Sequence, residues 1–272
     1  SLLHLNINAQ ISLRGQSSSG TISGTNITVS KPTGTITGDV MIANISTNGN
    51  VIAASCNGWT FLKSINTGTT SYSTILIKVV NSGDAAASNY AFALGTGATG
   101  AAAAIASFSG VDTIRPIDTT ASAISVGNNK FPSASSITTL TRKTAILMLG
   151  QFAGSATTAN FWNNSFWKAT NPSTLTEIYD QNGSNTSVGA AWGLLPTIGS
   201  TGVGTDSITT SGKWGAILMA LRSCTPKITT QPLSASVCIG NSTSAFSTAA
   251  SGMGSISYQW YSNSVNSTSG GT

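Results

Sequence analysis

The chain has 272 residues, of which only 7% are charged, and a formal net charge of +5. One Glu (Glu177), one His (His4) and six Asp leave few acids, bases or metal ligands, which disfavours most enzymes. The Glu/Lys/Leu-rich composition of a coiled coil is missing too, while 40% hydrophobic residues and six Trp argue against disorder.

The first segment alternates strictly. Leu3, Leu5, Ile7, Ala9, Ile11 and Leu13 point one way, and His4, Asn6, Asn8, Gln10, Ser12 and Arg14 the other. Such alternation predicts a half-buried strand over 3–14, docked either into its own sandwich or into another copy. SLLHLNINAQ also resembles the end of a Bacteroidota-type signal peptide, with Ala9 just before the usual cleavage point. Both readings imply export.

Strands are expected next at 38–46, 58–65, 72–80, 89–94, 101–109, 144–152, 187–195 and 212–222. These runs are short, apolar and β-branched or aromatic, and Gly, Asn, Ser and Pro fill the gaps. Flanking Gly favours a strand for the Ala101–Ala104 run as well. No helical pattern separates the strands, so a parallel βαβ sheet is excluded and the expected class is all-β. No stretch reaches the length of a membrane span. The basic residues are scattered, Arg142-Lys143 being the closest cluster, so nucleic acid is not an expected partner. Cys56, Cys224 and Cys238 fit no zinc spacing, and an odd number leaves at least one thiol free or paired elsewhere.

From about 20 to 222 the order of motifs resembles a sandwich module common in secreted bacterial proteins. It has a Gly-Asp-hydrophobic strand (GDVMIANIS), Gly58-Trp59-Thr60, a Tyr-led strand from Tyr72 to Val80, Ser-Gly-Val-Asp at 109–112, Pro-Ile-Asp at 116–118, and a closing strand from Lys213-Trp214 to Leu221-Arg222. That resemblance implies a jelly-roll-like β-sandwich without a uniform activity. Residues 226–263 look like the first half of an Ig-like repeat from giant Bacteroidota surface proteins, with Phe246 and Trp260 as facing core positions. The expected organisation is therefore a signal-peptide end or N-terminal strand at 1–14, a jelly-roll-like sandwich at 15–222 and an incomplete Ig-like domain at 223–272.

Candidate chemistry is sparse. Asp112 and Asp118 sit six apart around a Pro turn and could serve as a glycosidase-type pair, but Asp capping turns is the simpler reading. A Ser-His-Asp triad would need His4. An isopeptide cross-link of a lysine to an asparagine beside the lone Glu177 would draw on Lys168, the nearest lysine in sequence. No Asp-x-Asp pattern suggests calcium, and no metal or cofactor is expected. FWNNSFWK (161–168) offers Trp162 and Trp167 as sugar-stacking platforms beside Asn163 and Asn164, against the alternative of burial in the core. Asp-Thr-Ile, Asp-Thr-Thr and Asp-Ser-Ile resemble a Bacteroidota O-glycosylation motif and would mark Thr113, Thr119 and Ser207. The expected role is a non-catalytic extracellular module of a large cell-surface adhesin, of the attachment or gliding type, meeting surface polysaccharide. The alternative is a filament subunit that exchanges strands with other copies of the same chain.

Overall fold

A computed structural model describes residues 2–4, 10–21, 24–49, 54–68, 71–154 and 160–224, and in the tail 227–233, 235, 238–242, 244–251 and 259–261. The described residues are all-β, with a single 3-10 turn at Ser82–Asp84. The chain divides into two compact units, Ile11–Ser223 and Ser1–Gln10 with Cys224–Thr272.

The large unit begins with β2 (Ser12–Thr21), after β1 (Leu2–His4) of the other unit. It continues with β3 (Asn26–Ser30), β4 (Val40–Asn48), β5 (Thr60–Asn66), β6 (Ser71–Val79), β7 (Asn89–Ala93) and β8 (Gly100–Ser109). Next come β9 (Ile117–Thr119), β10 (Ser125–Asn129), β11 (Ser133–Ala134), β12 (Thr144–Ala153), β13 (Thr176–Gly183), β14 (Thr186–Leu195), β15 (Gly204–Thr205) and β16 (Gly212–Leu221). One antiparallel sheet runs β2-β8-β4-β6-β5, and the other runs β10-β16-β12-β14-β13 with β9 also on β16. All eight expected body strands are present, and the alanine run lies in β8.

The two sheets repeat one plan. The second order is the first with each strand number raised by eight, and the two-stranded covers, β3-β7 and β11-β15, obey the same rule. The irregularities match as well. Leu62 bulges between Phe61 and Lys63 on β5, and Ile178 bulges between Glu177 and Tyr179 on β13, at equivalent register. Arg14 bulges opposite β8 and Asp118 opposite β16, again at equivalent positions, so β9 and β10 together correspond to β2. Each of these residues straps the loop before its central strand. Arg14 makes a bidentate pair with Asp39 at 3.0 and 3.1 Å, while Asp118 accepts from the backbone N–H of Leu140 at 2.6 Å.

Three apolar layers result. The two sheets bury their inner faces against each other through Val40, Ile42, Ile75, Phe108, Leu147, Leu149, Ile217 and Met219. The outer face of the first sheet packs Met41, Ala43 and Ile45 under Ile27, Val29, Tyr90 and Phe92 of the β3-β7 cover. The outer face of the second sheet packs Ile146, Met148 and Leu218 under Phe161, Trp162, Trp167 and Ile208. Buried on both faces, β4, β8, β12 and β16 read as nearly continuous apolar runs instead of alternating. At one end the sheets meet through hydroxyls and an amide. Ser46 bonds Thr186 at 2.6 Å, and the Gln151 amide donates to Ser71. Gln151 is the counterpart of Ser46 and Thr186 that of Ser71, so the halves face each other with a two-fold relation.

The expected strand at 3–14 is divided. Ser12 onward enters the large unit, where Ile11 is buried and Leu13 packs on the inter-sheet core, whereas β1 pairs with β19 (Gln259–Tyr261) in the other unit. Residues 5–9 lie outside the described residues. In the tail β17 (Lys227–Thr230) pairs with β18 (Ala249–Ser251). Phe246 belongs to no strand and is partly exposed, so it is not the core position expected for an Ig-like second strand; the Trp260 side chain lies outside the described residues.

Candidate functional site: carboxylates beneath a tryptophan pair

The stretch 161–168 lies over the outer face of the second sheet. Its position depends on Gly150 and Gly189, which pair across β12 and β14. A Cβ on either glycine would overlap the Trp162 indole, so the ring lies flat on bare backbone. Trp162 Nε1 donates to Ser187 Oγ at 3.2 Å, and Trp167 stacks on Trp162 with centroids 5.6 Å apart and planes 20° apart. Both indoles are fully buried. The expected sugar-stacking role for Trp162 and Trp167 is therefore corrected: their faces are spent on glycine backbone, on each other and on Phe161. Asn163 is half-buried and Asn164 exposed, on the turn between the two tryptophans.

Three of the seven carboxylates gather here. In a regular strand, residues three apart face opposite sides. The bulge at Ile178 reverses that parity, so Glu177 and Asp180 share the outer face while Ile178 and Tyr179 both enter the inter-sheet core. Glu177 Oε2 accepts from Trp167 Nε1 at 3.1 Å, and Asp180 Oδ2 from the backbone N–H of Trp162 at 3.1 Å. The third, Asp206, points inward from the segment after β15 and is only 4% exposed. Neither of its oxygens receives a hydrogen bond of ordinary geometry. The N–H groups of Ser207 and Asn163 lie close enough to temper its charge, although that of Asn163 is committed to Ser207 O at 3.0 Å.

Burial and mutual repulsion set the proton occupancy. Asp206 is pushed up to about 8, by desolvation first, with Glu177 and Asp180 adding to it. Desolvation pushes Asp180 up to about 6, and Glu177 is raised by the same cause, against the Trp167 bond that lowers it. Asp206 therefore carries a proton at neutral pH. Carboxyls of separated acidity are the raw material of acid–base catalysis. Here they lie under two indoles and work as fasteners: one holds the Trp162 backbone and one the Trp167 ring. Among the described residues no group of three His, Cys, Asp or Glu is arranged to hold a metal ion.

The acids singled out from sequence have other roles. Asp112 accepts from the backbone N–H groups of Ile114 at 2.9 Å and Arg115 at 3.1 Å, an Asx turn. Asp118 is buried on its loop contacts and on Arg222, 3.6 Å away. Each is engaged by local partners. Lys168 sits over the Phe166 ring, 5.8 Å from its centroid, and Glu177 is engaged by Trp167, so the Lys168 cross-link is not poised to form. The His4 side chain lies outside the described residues. Thr113, Thr119 and Ser207 are half-buried, and Cys56 and Cys238 are free thiols. Sequence reasoning passed over Asp180 and Asp206; the usable signal was a Glu-x-x-Asp spacing on a strand, which needs a bulge to matter. No helix of the described residues is long and apolar enough to cross a membrane. No protein-family model matches the sequence, and neither the curated proteins nor the solved structures yield a match.

Proposed function

We propose that this chain is a non-catalytic, extracellular module of a large bacterial cell-surface adhesin, of the attachment or gliding type, displaying a rigid sandwich toward surface glycans. The observation that carries this reading is where the ionisable groups lie: none of the seven carboxylates is exposed, and the three that converge are covered by buried indoles. Acid–base work needs a group that can reach a reacting atom; Asp206 is only 4% exposed, and the half-buried Glu177 and Asp180 each have one oxygen held by a tryptophan, which supports the non-catalytic reading. Each main sheet is covered on its inner face by the other sheet and on its outer face by chain from its own half, which gives a self-contained unit suited to tandem display. Pairing of β1 with β19 inside the chain favours this reading over a filament built by strand exchange, which needs that edge open to a neighbour.

The test is removal of residues 11–223 from the full-length protein in the cells that make it. Loss of attachment, with the remainder still cleaved by protease added to intact cells, supports the reading. Unchanged attachment, or a protein that intact cells shield from protease, refutes it.

A further inference from the structure

The cover of the second sheet has an outward side as well as the buried one. Its central segment, 204–209, is flanked by 130–134 and by 161–168. Asp206 N donates to Pro132 O and Ile208 N to Lys130 O, both at 2.9 Å, and Lys168 and Thr205 exchange two bonds of 2.9 Å. Pro132, Trp162, Asp206 and Ile208 are buried, so the alternate residues face out. Residue 207 lies opposite 131, and Asn163 N bonds Ser207 O at 3.0 Å. Phe131, Ser207 and Asn163 therefore form a row across three extended segments, about 10 Å wide at the usual strand spacing.

This row is unusual in what it exposes. Phe131 is 69% exposed, and Phe166 is 49% exposed on the turn that Phe166 N closes to Asn163 O at 2.9 Å. Lys130 adjoins Phe131, Lys168 lies over Phe166, and both lysines are exposed. Among the described residues no carboxylate pairs with either. Across the large unit seven Arg and Lys side chains are exposed and not one Asp or Glu, so the charge that this unit displays outward is positive. Exposed aromatic faces flanked by amide and hydroxyl groups suit rings edged with hydroxyls, and the uncompensated lysines call for negative charge on that ligand.

We propose that the face formed by Phe131, Phe166, Asn163, Ser207, Lys130 and Lys168 docks an acidic polysaccharide. Its rings stack on the two phenylalanines, and its carboxylates pair with the two lysines. Nucleic acid is the less suited polyanion, because the cations stand singly and do not line a groove. The proposal rests on the attachment reading and gives it a ligand class. The two fail separately, since the deletion above scores attachment whatever the ligand.

The test is binding of the whole chain to polygalacturonate, with dextran and single-stranded oligo-dT as comparison probes. Polygalacturonate is expected to bind and dextran and oligo-dT to bind far more weakly, with affinity falling as salt screens the lysines. The Phe131→Ala, Phe166→Ala double variant is expected to lose about tenfold or more in affinity. Lys168→Gln is expected to lose several-fold, and the thermal midpoint should not change in either. Absence of polygalacturonate binding overturns the proposal. So does dextran binding equally well, oligo-dT binding more tightly, or the double variant binding like the parent.

Discussion

The two halves of the sandwich share a strand plan and differ in what they lay over it. At equivalent positions of the central strands, the first half has Ile45 and Thr74 where the second has Gly150 and Gly189. Above them the first half places Ala54, whose N–H bonds Thr74 Oγ1 at 2.9 Å, at the position where the second places Trp167. Two side chains were given up on the sheet, and an indole pair fills the space. The buried charges diverge in the same way. In the first half Asp84 is neutralised by Lys78 at 3.0 Å, whereas Glu177, Asp180 and Asp206 under the second cover have only backbone, an indole and one another. A duplicated scaffold thus tolerates different covers as long as volume and charge are balanced within each half.

The largest expected effect comes from emptying the second cover. Trp162→Ala leaves a cavity over glycine backbone and frees Ser187; a loss of about 3–5 kcal/mol is expected in the urea unfolding free energy. Gly189→Ala inserts a methyl into the same indole and is expected to cost about 1–3 kcal/mol, although its counterpart Thr74 shows that the sheet itself accepts a side chain there. Equal tolerance of this substitution would break the comparison.

The fold class was legible because buried strands announce themselves. VMIANIS, TAILMLGQF and GAILMAL are too apolar to lie anywhere but between two layers. The sheet-edge strands β10 and β13 and most of β2 escaped notice, since SVGNN, TEIYDQNG and GQSSSGT are polar. The duplication escaped for a related reason. Equivalent positions hold Ser46 and Gln151, or Ile45 and Gly150, so the register is kept and the residues are not. FWNNSFWK stands out in the sequence as a sugar-stacking candidate, but sequence could not say which aromatic faces out. Burial of Trp162 depends on two glycines far along the chain, and Phe166 is left outside by the turn at Asn163. The carboxylate cluster needs a bulge that no residue type signals.

Acidity sharpens the comparison further. Below about pH 4 Asp206 is protonated in both the folded and the unfolded chain, and its stabilising contribution is complete. As pH rises, the unfolded chain loses that proton first, so stability falls until the folded carboxyl ionises at about 8. Asp180 adds a slope of the same sign, ending at about 6. Urea midpoints are therefore expected to decline from pH 5 to pH 9. Asp206→Asn should flatten most of that decline and be more stable than the parent above pH 8. The smallest expected effect lies on the outward row: Phe131→Ala and Phe166→Ala should each stay within about 0.5 kcal/mol of the parent by thermal unfolding.

The most direct test of carboxylate burial beneath the second cover is an NMR titration of the side-chain carboxyl carbons in the folded chain. Midpoints of about 8 for Asp206 and about 6 for Asp180 are expected. Ordinary midpoints near 4 for both aspartates would mean that water reaches them and that the tryptophan pair does not close the site.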